Sequence, residues 1–171
     1  MNIIYDYDKE TLKSNCIIED NNIIGVGNAI CHPTDIDVSS ERTGITIAEN
    51  RAYIHYLQNY KASYLRPALI ALKHAYATMC HSKKFNEHSY EAKRLRKEIK
   101  NIQKKINETS CSIENIKLKT KEYIDNKDKM AQLYRTKKKI KEGQFNGNSN
   151  LWFKRIGNWK IKRSFLWSRI I

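Results

Sequence analysis

Gly25-Val26-Gly27-Asn28-Ala29-Ile30-Cys31-His32-Pro33-Thr34-Asp35, followed shortly by Thr43-Gly44-Ile45-Thr46-Ile47-Ala48-Glu49-Asn50-Arg51-Ala52, is the stretch that decides the fold. It reads as a strand, a turn closed by proline and aspartate, and a helix opening beside a glycine. Glycine weakens a strand unless its missing side chain is used, so Gly25 and Gly27 point to a bulge or to close approach of another backbone. Upstream, Ile3-Ile4-Tyr5 and Cys16-Ile17-Ile18 are short β-rich runs, and Glu19-Asp20-Asn21-Asn22 is a polar tetrad suited to a hairpin turn before Ile23-Ile24. After Pro33, the run from Thr34 to Glu41 can cap a helix that begins between Ser40 and Gly44, with Asp35 and Asp37 as the expected acceptors for its first N–H groups. In that helix Ile47, Arg51, Ile54 and Leu57 lie near one face, while Ala48 and Ala52 let it sit tightly on the sheet. The expectation for residues 1–62 is an α+β head of two or three antiparallel strands and one packed helix.

Residues 63–142 read as a helical hairpin or coiled coil. Ser63-Tyr64-Leu65-Arg66-Pro67 starts a helix in which the proline is tolerable only in the first turn, and Leu65, Leu69, Leu72, Tyr76 and Met79 form its core-facing stripe. The pattern breaks over residues 82–89, and Ser89-Tyr90-Glu91-Ala92 can cap the next helix. There Leu95, Ile99, Ile102, Ile106, Thr109, Ile113, Ile116, Thr120 and Tyr123 alternate steps of four and three. Such a seam needs an apolar partner, either the 64–81 helix folding back or the same helix of another copy. With one shorter helix available, self-association through residues 95–123 is the more economical expectation. From Gly143 to Asn150 the chain reads as a linker, and residues 151–171 form a basic tail that holds Trp152, Trp159 and Trp167.

Charge divides along the same lines. Residues 1–81 hold seven Lys/Arg against nine Asp/Glu, residues 82–142 nineteen against nine, and residues 143–171 six against none, within a formal net charge of +14. A field of that sign attracts phosphate-bearing polyanions and releases their counterions on binding; the bland alternative is a lysine-rich solvated face. The candidate nucleic-acid contacts are Lys93, Arg94, Arg96, Lys97, Lys100 and Lys104 early in the long helix, then Lys137, Lys138 and Lys139, then Trp152, Lys154, Arg155, Trp159, Lys160, Lys162, Arg163 and Trp167. Indole faces can stack on unpaired bases while Lys and Arg hold the backbone. Alternatively the tail aromatics cover the helices, dock on a protein, or lie on anionic lipid.

Catalytic and metal signals are weak. Cys31-His32 and Cys80-His81 could jointly offer a Cys2His2 zinc sphere, but adjacent ligands diverge on either a strand or a helix, so buried apolar cysteines are the preferred reading. Asp35, Asp37 and Glu41 suit capping better than cation binding. Ser39 and Ser40 have no paired base nearby, and the G-x-G at Gly25 and Gly27 lacks a third glycine and a following helix. No enzyme, cofactor or metal is expected. Cys16, Cys31, Cys80 and Cys111 lack disulfide-framework spacing, and neither a leader-like N-terminus nor a membrane-length apolar run is visible, so a cytoplasmic location is expected.

Residues 25–60, with Lys83-Lys84-Phe85-Asn86 and Ser89-Tyr90-Glu91-Ala92-Lys93, resemble a group of uncharacterised phage and prophage proteins of Gram-positive hosts. The residues that carry the resemblance are Gly25, Gly27, Ala29, Cys31, Pro33, Asp35, Thr43, Gly44, Ala48, Arg51 and Ala52. The strand–helix part is also similar to a double-stranded-RNA-binding-like α+β unit, although the head lacks a lysine cluster at a helix start. The resemblance implies a mobile-element accessory protein, host-cytoplasmic in location. One implied use is interference with host immunity, such as occluding the guide or target channel of a CRISPR effector. Two rival readings are a head that sequesters a nucleotide signal with Arg51 on phosphate, and a coiled-coil scaffold of a phage or host complex.

Overall fold

Strand alternation and two tight turns build the head. The computed structural model describes residues 1–82 and 86–142. Strands β1 (Asn2–Asp8), β2 (Lys13–Asp20) and β3 (Ile23–Ile30) form an antiparallel meander in the order β1-β2-β3. Ile4 pairs with Ile17 and Ile17 with Val26, which fixes one face of all three strands. The expected four-residue turn tightens to Asn21-Asn22, both at positive φ (48° and 62°), the two-residue geometry that matches strand twist and that asparagine tolerates. At the other turn the Asp8 carboxylate accepts from Glu10 N at 2.9 Å and Thr11 Oγ1 at 2.5 Å.

The inner face of the sheet receives α1 (Glu41–Tyr60), and Cys16, Ile18, Ala29, Ala48 and Ala52 form the core between them, with Ile3, Ile47 and Tyr56 packed at its margin. The packing is close enough that strand and helix backbones touch. A Cβ on Gly27 would overlap Ala48 O and Ala52 N and lie 2.9 Å from the Arg51 carbonyl carbon; one on Gly25 would overlap Ala52 O and lie 2.6 Å from Tyr56 Cβ. Of the two readings of these glycines, close approach is the one realised. Gly44 plays a similar part over Ser14, whose hydroxyl is buried and has no hydrogen-bond partner among the described residues.

A row of polar side chains on α1 closes the outer edge of β3. Arg51 NH1 donates to Asn28 O at 2.6 Å, Val26 N donates to His55 Nδ1 at 3.1 Å, and Asn59 Nδ2 donates to Ile24 O at 2.7 Å. Residues four apart on a helix rise about 6 Å, and residues two apart on a strand about 6.7 Å, so three successive rungs stay in step. The His55 bond requires its proton on Nε2. Arg51 therefore leaves the apolar face expected for it beside Ile54 and Leu57 and faces the sheet.

Two expectations about capping are corrected. Asp35 and Asp37 do not cap α1; they lie in a 3-10 helix (Pro33–Val38) entered through His32, whose ring accepts from Thr34 N. The α1 cap is Ser40, whose Oγ accepts from Thr43 N at 3.2 Å. Proline at the first turn favours the short helix over an extended linker, and the acidic pair is taken up in it.

A larger correction concerns the break expected between residues 60 and 67. The chain instead continues from α1 through a π-helical turn (Lys61–Leu65) into α2 (Arg66–Cys80). Arg66 N bonds Lys61 O five residues back, and Pro67, which has no N–H to place, follows without leaving a donor unsatisfied. The result is one helical rod from Glu41 to Cys80. Then α3 (Tyr90–Lys141) begins where expected, its Ala92 N donating to Ser89 Oγ at 3.2 Å.

The chain divides into two units, Met1–Ala131 and Gln132–Ile171. In the first, α3 runs back along the rod: Arg96 Nε meets Tyr76 Oη at 2.6 Å and Lys61 Nζ meets Ser110 Oγ at 3.1 Å, two contacts that fit one antiparallel register. Every seam position from Leu95 to Tyr123 is buried or half-buried, with Ile113 4 % and Thr120 7 % exposed. The seam is thus covered within the single chain, because the unbroken rod is long enough to cover it. Of the two partners the seam allows, the rod of the same chain is the one that meets it here. In the second unit the described residues are the end of α3 and Glu142, with Lys137, Lys138 and Lys139 exposed.

Two measurements test this account. Gly27→Ala forces a methyl group into the α1 backbone, so the protein should lose about 3 kcal/mol in chemical denaturation, at the upper end of overpacking costs. Asp20 holds the N-terminal ammonium at 3.2 Å and the Tyr56 hydroxyl at 3.0 Å. Those contacts keep its carboxyl below the ordinary 3.8, chiefly through the hydrogen bond from the N-terminus. They also raise Tyr56 to about 12, burial being the first cause and Asp20 the next. A depressed carboxylate stabilises the fold above its ordinary pKa and ceases to do so as acid protonates it. Asp20→Asn should therefore lower the melting temperature near neutrality and flatten its decline below about pH 4.

Candidate nucleic-acid interface

Packing the seam inward decides what α3 turns outward. At 100° per residue, Lys93, Lys97, Lys100 and Lys104 fall on one line along the helix, opposite the seam, and all four are exposed. They span about 16 Å. Among the described residues no ion pair engages Lys93, Lys97 or Lys100, while Lys104 Nζ lies 3.7 Å from Glu108 Oε1. Beyond Lys104 the line continues through Cys111, Asn115, Leu118 and Glu122 before it meets Lys129, so its run of successive lysines lies at the start of the helix.

The two arginines among the candidates are engaged elsewhere. Arg94 Nε pairs with Glu98 Oε1 at 3.1 Å one turn on, an exposed pair of the kind worth only tenths of a kcal/mol. Arg96 is bound on three sides: its NH2 pairs with Glu87, its Nε donates to Tyr76 Oη, and its guanidinium lies 5.4 Å from the Tyr76 ring centre. The Glu87 carboxyl is held below its ordinary pKa, first by the hydrogen bond from Arg96. Arg96 therefore clasps the closed end of the hairpin, joining α2, the loop and α3, and is withdrawn from the phosphate-binding set. The sequence shows an arginine in a basic run; only the register of the hairpin sets Tyr76 beside it.

The head signature residues have structural positions. Gly25, Gly27 and Gly44 admit α1, Pro33 opens the 3-10 helix, and Asp35 lies in its first turn, its N–H bonded to His32 O at 2.8 Å. Cys31 Sγ lies 3.4 Å from His32 O, and Arg51 is committed to Asn28. With its guanidinium on the β3 edge, Arg51 is not poised for the phosphate of a sequestered nucleotide. The pairs Cys31-His32 and Cys80-His81 flank opposite ends of the Glu41–Cys80 rod, about 60 Å long, which rules out a shared zinc sphere. Among the described residues no group of three His, Cys, Asp or Glu side chains is placed to hold a metal ion.

Trp152, Lys154, Arg155, Trp159, Lys160, Lys162, Arg163 and Trp167 lie outside the described residues. No helix among the described residues is long and apolar enough to cross a membrane.

Separating the two kinds of cation gives a direct test. Arg96→Lys keeps the charge but loses the forked contact to Glu87 and Tyr76, so the melting temperature should fall by several degrees while the salt dependence of oligonucleotide binding stays as in the parent.

The chain matches no protein-family model, no curated protein and no solved structure.

Proposed function

We propose that the protein is a non-catalytic accessory protein that binds nucleic acid, or a complex containing it, with the lysine line Lys93-Lys97-Lys100-Lys104 as its phosphate-binding surface. The observation that supports this reading is the hairpin register: because the opposite side of α3 is occupied by the rod, these four ammonium groups are committed to solvent and spaced one turn apart. Spaced point charges bind a phosphate backbone without regard to base sequence, and their affinity comes from counterion release. The exposed lysines at 137–139 and the basic tryptophan-bearing tail extend the same chemistry and add stacking on unpaired bases. The phage resemblance gives the setting, a mobile-element protein acting on a host nucleoprotein such as a CRISPR effector.

The scaffold reading predicts binding that ignores salt, and the nucleotide-capture reading predicts retention of a small ligand by the head. Fluorescence anisotropy with labelled single-stranded and duplex oligonucleotides across a salt series discriminates among them. Changing Lys93, Lys97, Lys100 and Lys104 together to Gln should reduce the slope of log affinity against log salt by about 3, given roughly 0.7 to 0.9 per phosphate contact. Unchanged affinity and slope in that variant would show the line to be a solvated face and no more.

A further inference from the structure

The two edges of the sheet are finished in different ways. Arg51, His55 and Asn59 close the outer edge of β3. Among the described residues no hydrogen bond from outside the sheet reaches the backbone of β1 between Asn2 and Tyr7. A strand edge left open over seven residues is a template for another strand, and proteins that must stay single defend such edges with lysine, proline or a bulge. β1, Asn-Ile-Ile-Tyr-Asp-Tyr-Asp, has no lysine, proline or bulge, and its charges are the carboxylates of Asp6 and Asp8, which any strand pairing there must accommodate.

The helix leaves the same strand short of cover. α1 lies over β3 and β2 and meets β1 only at its margin. On the inner face Ile3 and Tyr7 are therefore half-buried and Tyr5 remains 45 % exposed; on the outer face Ile4 is 51 % exposed and continues into the apolar row of Ile17 and Val26. Edge and flanking side chains are thus unfinished together.

We propose that β1 pairs antiparallel with β1 of a second copy, joining the two three-stranded sheets into one. The strand's own sequence argues for this occupant. With the two-fold axis at Tyr5, all seven residues find partners: Tyr5 faces Tyr5 of the partner subunit, Ile3 faces Tyr7 of the partner subunit, Ile4 faces Asp6 of the partner subunit, and Asn2 faces Asp8 of the partner subunit. No carboxylate faces a carboxylate, and each Asn2 amide can donate to an Asp8 oxygen. Ile3, Tyr5 and Tyr7 of both copies fill the inner surface that α1 leaves open, as aromatic and aliphatic cross-strand pairs. An axis at Asp6 instead sets the two Asp6 carboxylates against each other. This interface is independent of the lysine line on α3, and of whether that line binds phosphate.

Sedimentation velocity of the full chain over a concentration series tests the pairing. The parent should sediment as a concentration-dependent dimer. Ile4→Asp sets a carboxylate against Asp6 twice by symmetry and should weaken the dimer about tenfold, whereas Ile4→Lys sets an ammonium there and should preserve or tighten it. Ile4 is half exposed on the outer face, so both variants should melt like the parent, which circular dichroism checks. A readout that needs no variant is amide exchange, which should slow in Ile3–Tyr7 as parent concentration rises. A parent that stays monomeric at the highest concentration overturns the proposal, as does equal dimerisation of the Asp and Lys variants or exchange in β1 that ignores concentration.

Discussion

The contact between α1 and β3 at backbone distance is the constraint on which the rest of the head depends. Helices normally stand off a sheet by the depth of two layers of side chains; here Gly25 and Gly27 on the strand and Ala48 and Ala52 on the helix remove most of that depth. The core gains little from large side chains, since Ile18, Cys16 and Ser14 are the largest that are fully enclosed. What it gains is dense contact between main chains. Closeness also brings the helix's polar side chains within reach of the strand edge. At an ordinary separation, Arg51, His55 and Asn59 could not span to Asn28, Val26 and Ile24. One geometric condition thus supplies both the packing and the closure of an edge that would otherwise recruit other strands.

The same helix then has to present a second face. Its Asn50, Ile54, Leu57 and Lys61 are partly or half-buried on the side away from the strand, where Lys61 meets Ser110 of α3. The π-helical turn makes this possible, because it carries the rod past Pro67 without a kink large enough to end it and adds α2 to the length available for α3. The inward seam and the outward lysine line are therefore two consequences of one continuous helix.

Much of this was legible in the residues. Short β-rich runs marked the strands, Ser89 sat where the α3 cap belongs, and the steps of three and four from Leu95 to Tyr123 named the buried side of α3 correctly. The illegible parts share a cause: each depends on which surface meets which. Proline in Ser63-Tyr64-Leu65-Arg66-Pro67 signals a helix start under ordinary i→i−4 bonding, and a shift to i→i−5 leaves no mark in composition. Arg51, His55 and Asn59 at a spacing of four look like a solvated helix face until a strand of matching rise is laid beside them. Arg96 is indistinguishable from its lysine neighbours until Tyr76 and Glu87 are brought up to it. In the candidate interface, sequence identified the basic stretch, and the hairpin register sorted it into line and clasp.

Electrostatics separates the two surfaces in a way that packing alone does not. The head carries slightly more acid than base, with Asp6 and Asp8 on β1 and Asp20 holding the chain start, whereas α3 carries the excess of lysine. A phosphate backbone approaching the molecule is drawn to α3 and repelled by the exposed edge of the sheet. Pairing through β1 has the opposite dependence, because it brings together two copies of like net charge and is helped when ions screen them. Rising salt should therefore release the polyanion while favouring the paired heads. The two proposed interactions would therefore respond to the same variable with opposite sign, because the carboxylates lie on the edge strand and the ammonium groups on α3.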